Sequence, residues 1–249
     1  MESYVDKSKV SVKPVHKNLA RDMIIRNHYS GKMSACRYTL GVFYKSDNHK
    51  FFDGETEDFI GVACYGFPVG RRVIGSIFKD EIIQNKNILE LKRLFIHDGY
   101  GKNIESHVIS STFKWMKQYA PDIKVLISYA DPEQAHDGAI YQATNWLYQG
   151  NRIRPNDSWL FKWEEDGKWQ HGRTIFPYYG TNNVEKMKDL VEKDFWVKKE
   201  LRKHRYVYLL GSKSEKRKAL KNLKHPLLPY PKTADIVEPE VIKIKVRSK

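Results

Sequence analysis

The stretch KVLISYADPEQAHDGAIYQATNW (residues 124–146) decides how this chain folds. Its first seven residues are a near-continuous apolar run, which reads as a strand buried on both faces. A polar loop with His136 and Gly138 follows, and about Gly138 to Thr144 reads as a short helix carrying Tyr141. Side chains alternate along a strand, so Tyr129 and Asp131 share one face and Ser128 and Ala130 the other. Asp131 stands where the strand ends, the place at which open α/β sheets bind ligands. A carboxylate there serves as a base for an amine proton, as a metal ligand, or as an N-cap for the next turn. Pro132 directly after it suits the cap.

Upstream, VSVKPV (10–15) reads as a strand and His16–Asn27 as a helix with Leu19, Met23 and Ile24 at helical spacing. That helix stops at His28-Tyr29-Ser30-Gly31. RYTLGVFY (37–44) and FIGVACYGFPV (59–69) read as an antiparallel pair around the polar turn SDNHKFFDGETED (46–58). Residues 70–87 read as an insertion, and ILELKRLFI (88–96) as a strand. The glycine turn HDGYGKN (97–103) leads into a helix over 104–119, with Val108, Ile109, Phe113 and Met116 on one face and Pro121 beyond its end. Downstream, WLYQG (146–150) and WLFKW (159–163) read as strands. A helix over 185–203, a strand RYVYLLG (205–211), a Lys-rich helix (214–224) and an extended tail after Lys232 complete the chain. The composition shift places a boundary between a domain at 1–166 and a basic extension at 167–249.

A chain of 249 residues with 41% hydrophobic content can bury a sizeable core. It has no apolar run of membrane-spanning length and no apolar signal core at its start, so it reads as a cytoplasmic protein with no membrane partner. Cys36 and Cys64 sit in apolar runs outside any metal-ligand spacing and read as reduced core residues. The net charge of +14 points to a polyanionic partner, nucleic acid first. From Val197 to His225 there are 11 Lys and Arg against Glu200 and Glu215, with Tyr206 and Tyr208 interleaved. Lys216, Arg217 and Lys218 in that run are candidate phosphate contacts.

The order strand, helix, three antiparallel strands, glycine turn, helix, buried strand, helix, strand, strand resembles the GNAT acyltransferase superfamily. That resemblance implies an α+β fold: a mixed, mostly antiparallel twisted sheet flanked by helices. It implies that the fourth strand and the turn after it cradle acetyl-CoA or another acyl-CoA, through Leu94, Phe95, Ile96, Gly99, Gly101, Lys102, Asn103 and Ser106. Unpaired amides and the helix dipole favour an anion at such a place. The family's Arg/Gln-x-x-Gly-x-Gly/Ala pattern is not reproduced in Gly99-Tyr100-Gly101-Lys102-Asn103, and a plain turn is the other reading. Tyr141 would donate a proton to a thiolate leaving group by the same resemblance, or else pack on the sheet.

A closer resemblance rests on His28-Tyr29-Ser30, on ELKRLFI with Asn103 and Ser106, on SYAD, and on H-x-G-x-I-Y-Q-A-x-N-W-x-Y-x-G from His136 to Gly150. Together these are similar to the Mom family of phage DNA-modification proteins. The resemblance implies conversion of adenine N6 in double-stranded DNA to a carbamoylmethyl derivative, which protects phage DNA from restriction. It also implies an iron ion. His28 suits proton transfer near neutral pH and iron ligation, or a helix C-cap. His28 and Asp131 are the candidate iron ligands, and His136 is a third ligand or a loop residue. An enzyme acting on a paired base flips it out and stacks it on aromatics. Tyr29, Tyr65, Phe67, Tyr129 and Trp146 are available for that, and Ser128 lies beside Tyr129. Two rival readings are an acyltransferase acting on an amino group of another base, RNA or protein, and a basic nucleic-acid-binding protein whose acyl-CoA site has decayed.

Overall fold

The computed structural model describes residues 3–46, 56–70, 73–80, 83–151, 158–232 and 239–246. Most of the polar turn expected at 46–58 lies outside the described residues. The chain folds into two compact units. One comprises the residues up to Ala130, Gly138–Gly150 and Arg205–Tyr230; the other comprises Asp131–Asp137, Asn151–His204 and the residues from Pro231. No helix among the described residues is long and apolar enough to cross a membrane.

The first unit is built on a sheet of β1 (Val10–Pro14), β2 (Tyr38–Ser46), β3 (Thr56–Gly66), β4 (Ile88–Ile96), β5 (Val125–Ala130), β6 (Leu147–Tyr148) and β10 (His204–Leu209). Their order in space is β1-β2-β3-β4-β5-β10-β6 among the described residues. The pairs from β1 to β4 are antiparallel, and β4 to β5 is parallel. This is the α+β arrangement expected, a mixed and mostly antiparallel sheet with helices on its faces.

Helix α1 (Lys17–Asn27) is capped by His16, whose side chain accepts from the Asn18 amide, and buries Ala20 and Ile24 against Val62 and Cys64 of β3. Helix α3 (Ile104–Tyr119) buries Ile109, Phe113 and Met116 in the largest core cluster, beside Leu91, Leu126 and Tyr141. Strand β5 is buried on both faces, as its unbroken apolar run requires. Leu126 and Ala130 join the α3 cluster, while Val125 and Ile127 pack with Val207 and Ala219 of α7 (Lys213–Lys221) and with Ile74 and Ile77 of α2 (Val73–Ile77).

The second unit holds a separate sheet. Strands β7 (Trp159–Lys162), β8 (Gln170–His171), β9 (Phe195–Lys199) and β11 (Val241–Ile244) lie in the order β11-β9-β7-β8. Helices α5 (Gly172–Tyr179) and α6 (Val184–Leu190) supply Ile175 and Met187 to its core with Phe161, Phe195 and Val197.

Three sequence expectations change. The helix expected over 185–203 ends at Leu190, and β9 follows. Phe195 and Val197 alternate inward, and Val197 pairs with Phe161, so strand pairing overrides the local helical pattern. WLFKW forms β7 in the second sheet, whereas the distant RYVYL segment returns to the first sheet beside β5. The division of the chain therefore does not follow a cut between 166 and 167.

Charge follows the same redistribution. The first unit holds 27 Lys and Arg against 15 Asp and Glu, and the second holds 17 against 15. The C-terminal segment is basic through residues 205–230, and those belong to the first unit.

Helix α4 (Ala139–Gln142) is set by Gly138, whose φ is +88° and whose carbonyl accepts from the Tyr141 amide at 2.8 Å. A Cβ on Gly138 would collide with the Tyr206 ring. Gly138→Ala is therefore expected to cost about 2–4 kcal/mol, from left-handed strain and overpacking together. Thermal unfolding should show a clear fall in Tm; an unchanged Tm would contradict this packing.

Candidate active site

Strands β4 and β5 pair at Ile88/Val125, Leu89/Leu126 and Glu90/Ile127, and the ladder ends there. Beyond it the two strands diverge, and Ser128 stands at the fork. Its Oγ lies 2.7 Å from the Tyr141 hydroxyl and 3.3 Å from the Leu91 carbonyl. The serine has one proton, and the shorter contact takes it. Tyr141 then accepts from Ser128 and keeps its own proton for a further acceptor.

Burial pushes the Tyr141 phenol up to about 12, with Ser128 opposing and the nearby Tyr29 and Glu90 adding to the rise. Tyr141 is thus protonated at neutral pH. Around it the fork gathers Glu90 and Lys92, whose charged groups are 3.6 Å apart, with the Lys92 side chain 5% exposed. Lys92 is the extra residue of a β-bulge: Leu91 faces Tyr65 and Arg93 faces Cys64, so Lys92 has no residue opposite it. Bulges re-aim side chains in this way.

Tyr29 is 62% exposed and lies against the His28 ring, with centroids 4.2 Å apart and the planes tilted by 31°. The Ser30 amide donates to His28 Nδ1 at 3.1 Å, so the neutral imidazole carries its proton on Nε2. A ring in that state offers a donor rather than a metal-binding lone pair. Asp131 lies in the second unit. It accepts from the Glu133 amide at 3.2 Å and pairs with Lys203 at 2.6 Å, so the capping alternative is the one its geometry displays. Among the described residues no group of three or more His, Cys, Asp and Glu is placed to hold a metal ion. The expected set of His28 and Asp131, with or without His136, does not fit iron, and no iron chemistry is assigned to it.

The glycine turn fits acyl-CoA in part. Leu94, Phe95 and Ile96 pair with β3 on one side, and past the fork their other edge faces no β5 partner. The first amides of α3, at Ile104, Glu105 and Ser106, have no acceptor within the helix. Asn103 enters the helix at φ +65° without a side-chain cap, and Ser106 Oγ donates to its carbonyl at 2.9 Å. A Cβ on Gly99 would meet open space. Gly101 and Lys102, however, are packed by the chain's own start. The Lys102 amide donates to Ser3 O at 2.9 Å, Val5 N donates to Lys102 O at 3.1 Å, and a Cβ on Gly101 would sit 2.7 Å from Val5 N.

Other candidates fall elsewhere. Trp146 and Tyr65 are both 0% exposed. Trp146 packs against Phe113, Tyr141 and Tyr208, so it is a core residue that a base cannot reach. Tyr129 is half-buried and hydrogen-bonds the buried Arg205. Phe67 is 47% exposed. Lys216 Nζ lies over the Tyr208 ring at 5.6 Å, while Arg217 and Lys218 face solvent on α7.

Glu90, Lys92 and Cys36 are site residues that sequence reasoning does not single out. Two opposite charges two apart in a strand otherwise flanked by apolar residues were the available signal. Cys36 contacts the buried Cys64, and its thiol is drawn down by that thiol's hydrogen bond and by Lys92, Arg93 and Lys17, against burial. Cys64 is pushed up by the Cys36 hydrogen bond and by burial.

The family model described as "Mom protein family" matches residues 9–232. A curated relative, "Methylcarbamoylase mom" of Escherichia phage Mu, is 29% identical over 221 residues, covering 86% of this chain and 80% of its own. Among solved structures, Arabidopsis thaliana NAA60 in complex with acetyl-CoA has a TM-score of 0.44 at 10% identity, covering 81% of this chain and 99% of its own. Spermidine/spermine N-acetyltransferase SpeG from Vibrio cholerae has a TM-score of 0.42 at 9% identity, covering 82% of this chain and 94% of its own.

The two thiols give a direct check on this geometry. Iodoacetamide should alkylate Cys36 at least about tenfold faster than Cys64 in the folded protein, because the thiolate is the nucleophile and Cys64 is buried. Lys92→Met should slow Cys36 labelling. Equal rates for the two cysteines would contradict the arrangement.

Proposed function

The chain belongs to the Mom protein family, and from that premise we propose that it is a transferase that modifies DNA at adenine N6. The product is a carbamoylmethyl or related acyl-derived adduct, and its role is to shield phage DNA in the host cytoplasm from restriction. The observation that carries this reading is the fork between β4 and β5, where Tyr141, Ser128, Glu90 and Lys92 converge beneath an exposed Tyr29.

In this reading the flipped adenine stacks on Tyr29 at the rim of the fork. His28 presents Nε2–H as a donor. Tyr141 holds its proton for the leaving group, and Ser128 keeps the phenol oriented. Glu90, balanced by Lys92, takes up the proton that N6 loses. Acyl-CoA would be held along Leu94–Ile96 and at the amides of Ile104–Ser106; its thioester would supply the acyl group of an acyl-derived adduct, with CoA leaving as the thiol on the Tyr141 proton, whereas a carbamoylmethyl product needs a donor that also brings the CH2 carbon and the amide nitrogen. Arg217 and Lys218 contact phosphates. The packing of Ser3–Val5 on Gly101 and Lys102 favours one rival, a nucleic-acid-binding protein whose donor site is out of use.

Mass spectrometry of nucleosides from cells expressing the protein separates these readings. Wild type should give a deoxyadenosine carrying the mass of a carbamoylmethyl group; the mass of an acetyl group would instead mark direct acyl transfer. Tyr141→Phe should lower the yield about 10²-fold or more. Because Tyr141 stays protonated up to about 12, that loss should be the same across neutral and mildly alkaline pH. Unmodified adenine alongside folded wild-type protein would overturn the proposal.

A further inference from the structure

The first unit carries a second aromatic feature, separate from the fork residues. Phe67, Arg37, Tyr38, Trp115 and Tyr119 form one unbroken run. The Arg37 guanidinium lies 5.6 Å from the Phe67 ring and 5.1 Å from the Tyr38 ring. Tyr38 meets Trp115 edge-on at 5.3 Å, and Trp115 meets Tyr119 at 5.4 Å. Asp122 pairs with Arg37 at 3.2 Å and fixes it between the two rings.

This run is accessible. Phe67 is 47% and Tyr119 60% exposed, Arg37 is exposed, and Tyr38 and Trp115 are half-buried. Beneath its middle is a cavity of about 330 Å³ lined by His16, Lys17, Arg37, Tyr38 and Trp115. Lys114 and Lys117 flank Trp115 on α3 and face solvent. The whole feature sits on the unit that carries most of the net charge.

A core has no use for a guanidinium sandwiched between half-open rings. A strand of unpaired nucleotides does, because every base has a π-face and every linkage a negative charge. We propose that this run is a stacking platform for unpaired nucleotides of a DNA strand, with the cavity taking one base and Lys17 and Arg37 its phosphates. The assignment of DNA rests on the function proposed above. The platform adds that a stretch of strand beyond the reacting base is held single-stranded. It also supplies the exposed stacking surface that Tyr65 and Trp146, being buried, do not.

The test is fluorescence anisotropy of a labelled single-stranded oligodeoxynucleotide titrated with full-length protein. Trp115→Leu and Tyr119→Ser should each weaken binding about tenfold or more. Tyr119 is 60% exposed, so its variant keeps the test valid if the Trp115 variant folds poorly. On an abasic strand of the same length, with phosphates but no bases, variants and wild type should bind alike. Wild-type affinity in the Tyr119 variant, or an equal loss on the abasic strand, would overturn the platform. The outcome is independent of the chemistry. Lost single-strand binding in cells whose adenine is unmodified would uphold the platform and sink the proposed reaction. Modified adenine with unaffected variants would do the reverse.

Discussion

The hydroxyl of Ser128 stands where the parallel ladder of β4 and β5 stops, and the rest of the site depends on that bond. Two strands cannot part inside a sheet without leaving backbone groups unpaired. Here Ser128 Oγ sits 3.3 Å from the Leu91 carbonyl and gives its proton to the Tyr141 hydroxyl at 2.7 Å, which ties the phenol to the end of the ladder. The strand end is packed from both faces: Trp146, Phe113 and Tyr206 share a core cluster with Leu126 and Ala130, and Val207 and Ile77 share another with Val125 and Ile127. A protonated phenol and a Glu–Lys pair gathered where two strands part are the physical core of the functional reading.

Much of this was legible in the chain. The apolar run Val125–Ile127 announced a strand buried twice over, and α1, β2, β3, β4 and α3 followed from period and turn residues. Three things were not legible, each for a physical reason. Strand β10 reaches β5 across more than seventy residues of sequence, and no local pattern encodes that partner. Phe195–Lys199 sits in a Lys- and Glu-rich stretch with a helical look, and its strand is set by pairing with β7 on one edge and β11 on the other. The Lys92 bulge depends on the register between β3 and β4, a pairwise property that neither strand shows alone.

The site residues divide along the same line. Tyr141 is singled out by the family resemblance and Ser128 by its place at the end of the strand beside Tyr129, and the fold brings them within 2.7 Å. Trp146, named as a base contact on motif position, turns inward because its ring completes the α3 core. Asp131 carries the cap that Pro132 suggested, with Lys203 neutralising it. The C-terminal segment is basic, as its composition shows. Its residues 205–230 nevertheless belong to the first unit, because their strand joins that unit's sheet beside β5.

The central claim is that the β4 edge past the fork, together with the first turn of α3, is where the group donor binds. Amide hydrogen exchange of the full-length protein with and without acetyl-CoA tests it most directly. The account predicts slowed exchange at Leu94–Ile96 and Ile104–Ser106 on adding the ligand. Protection confined to other segments, or none at saturating acetyl-CoA, would contradict it.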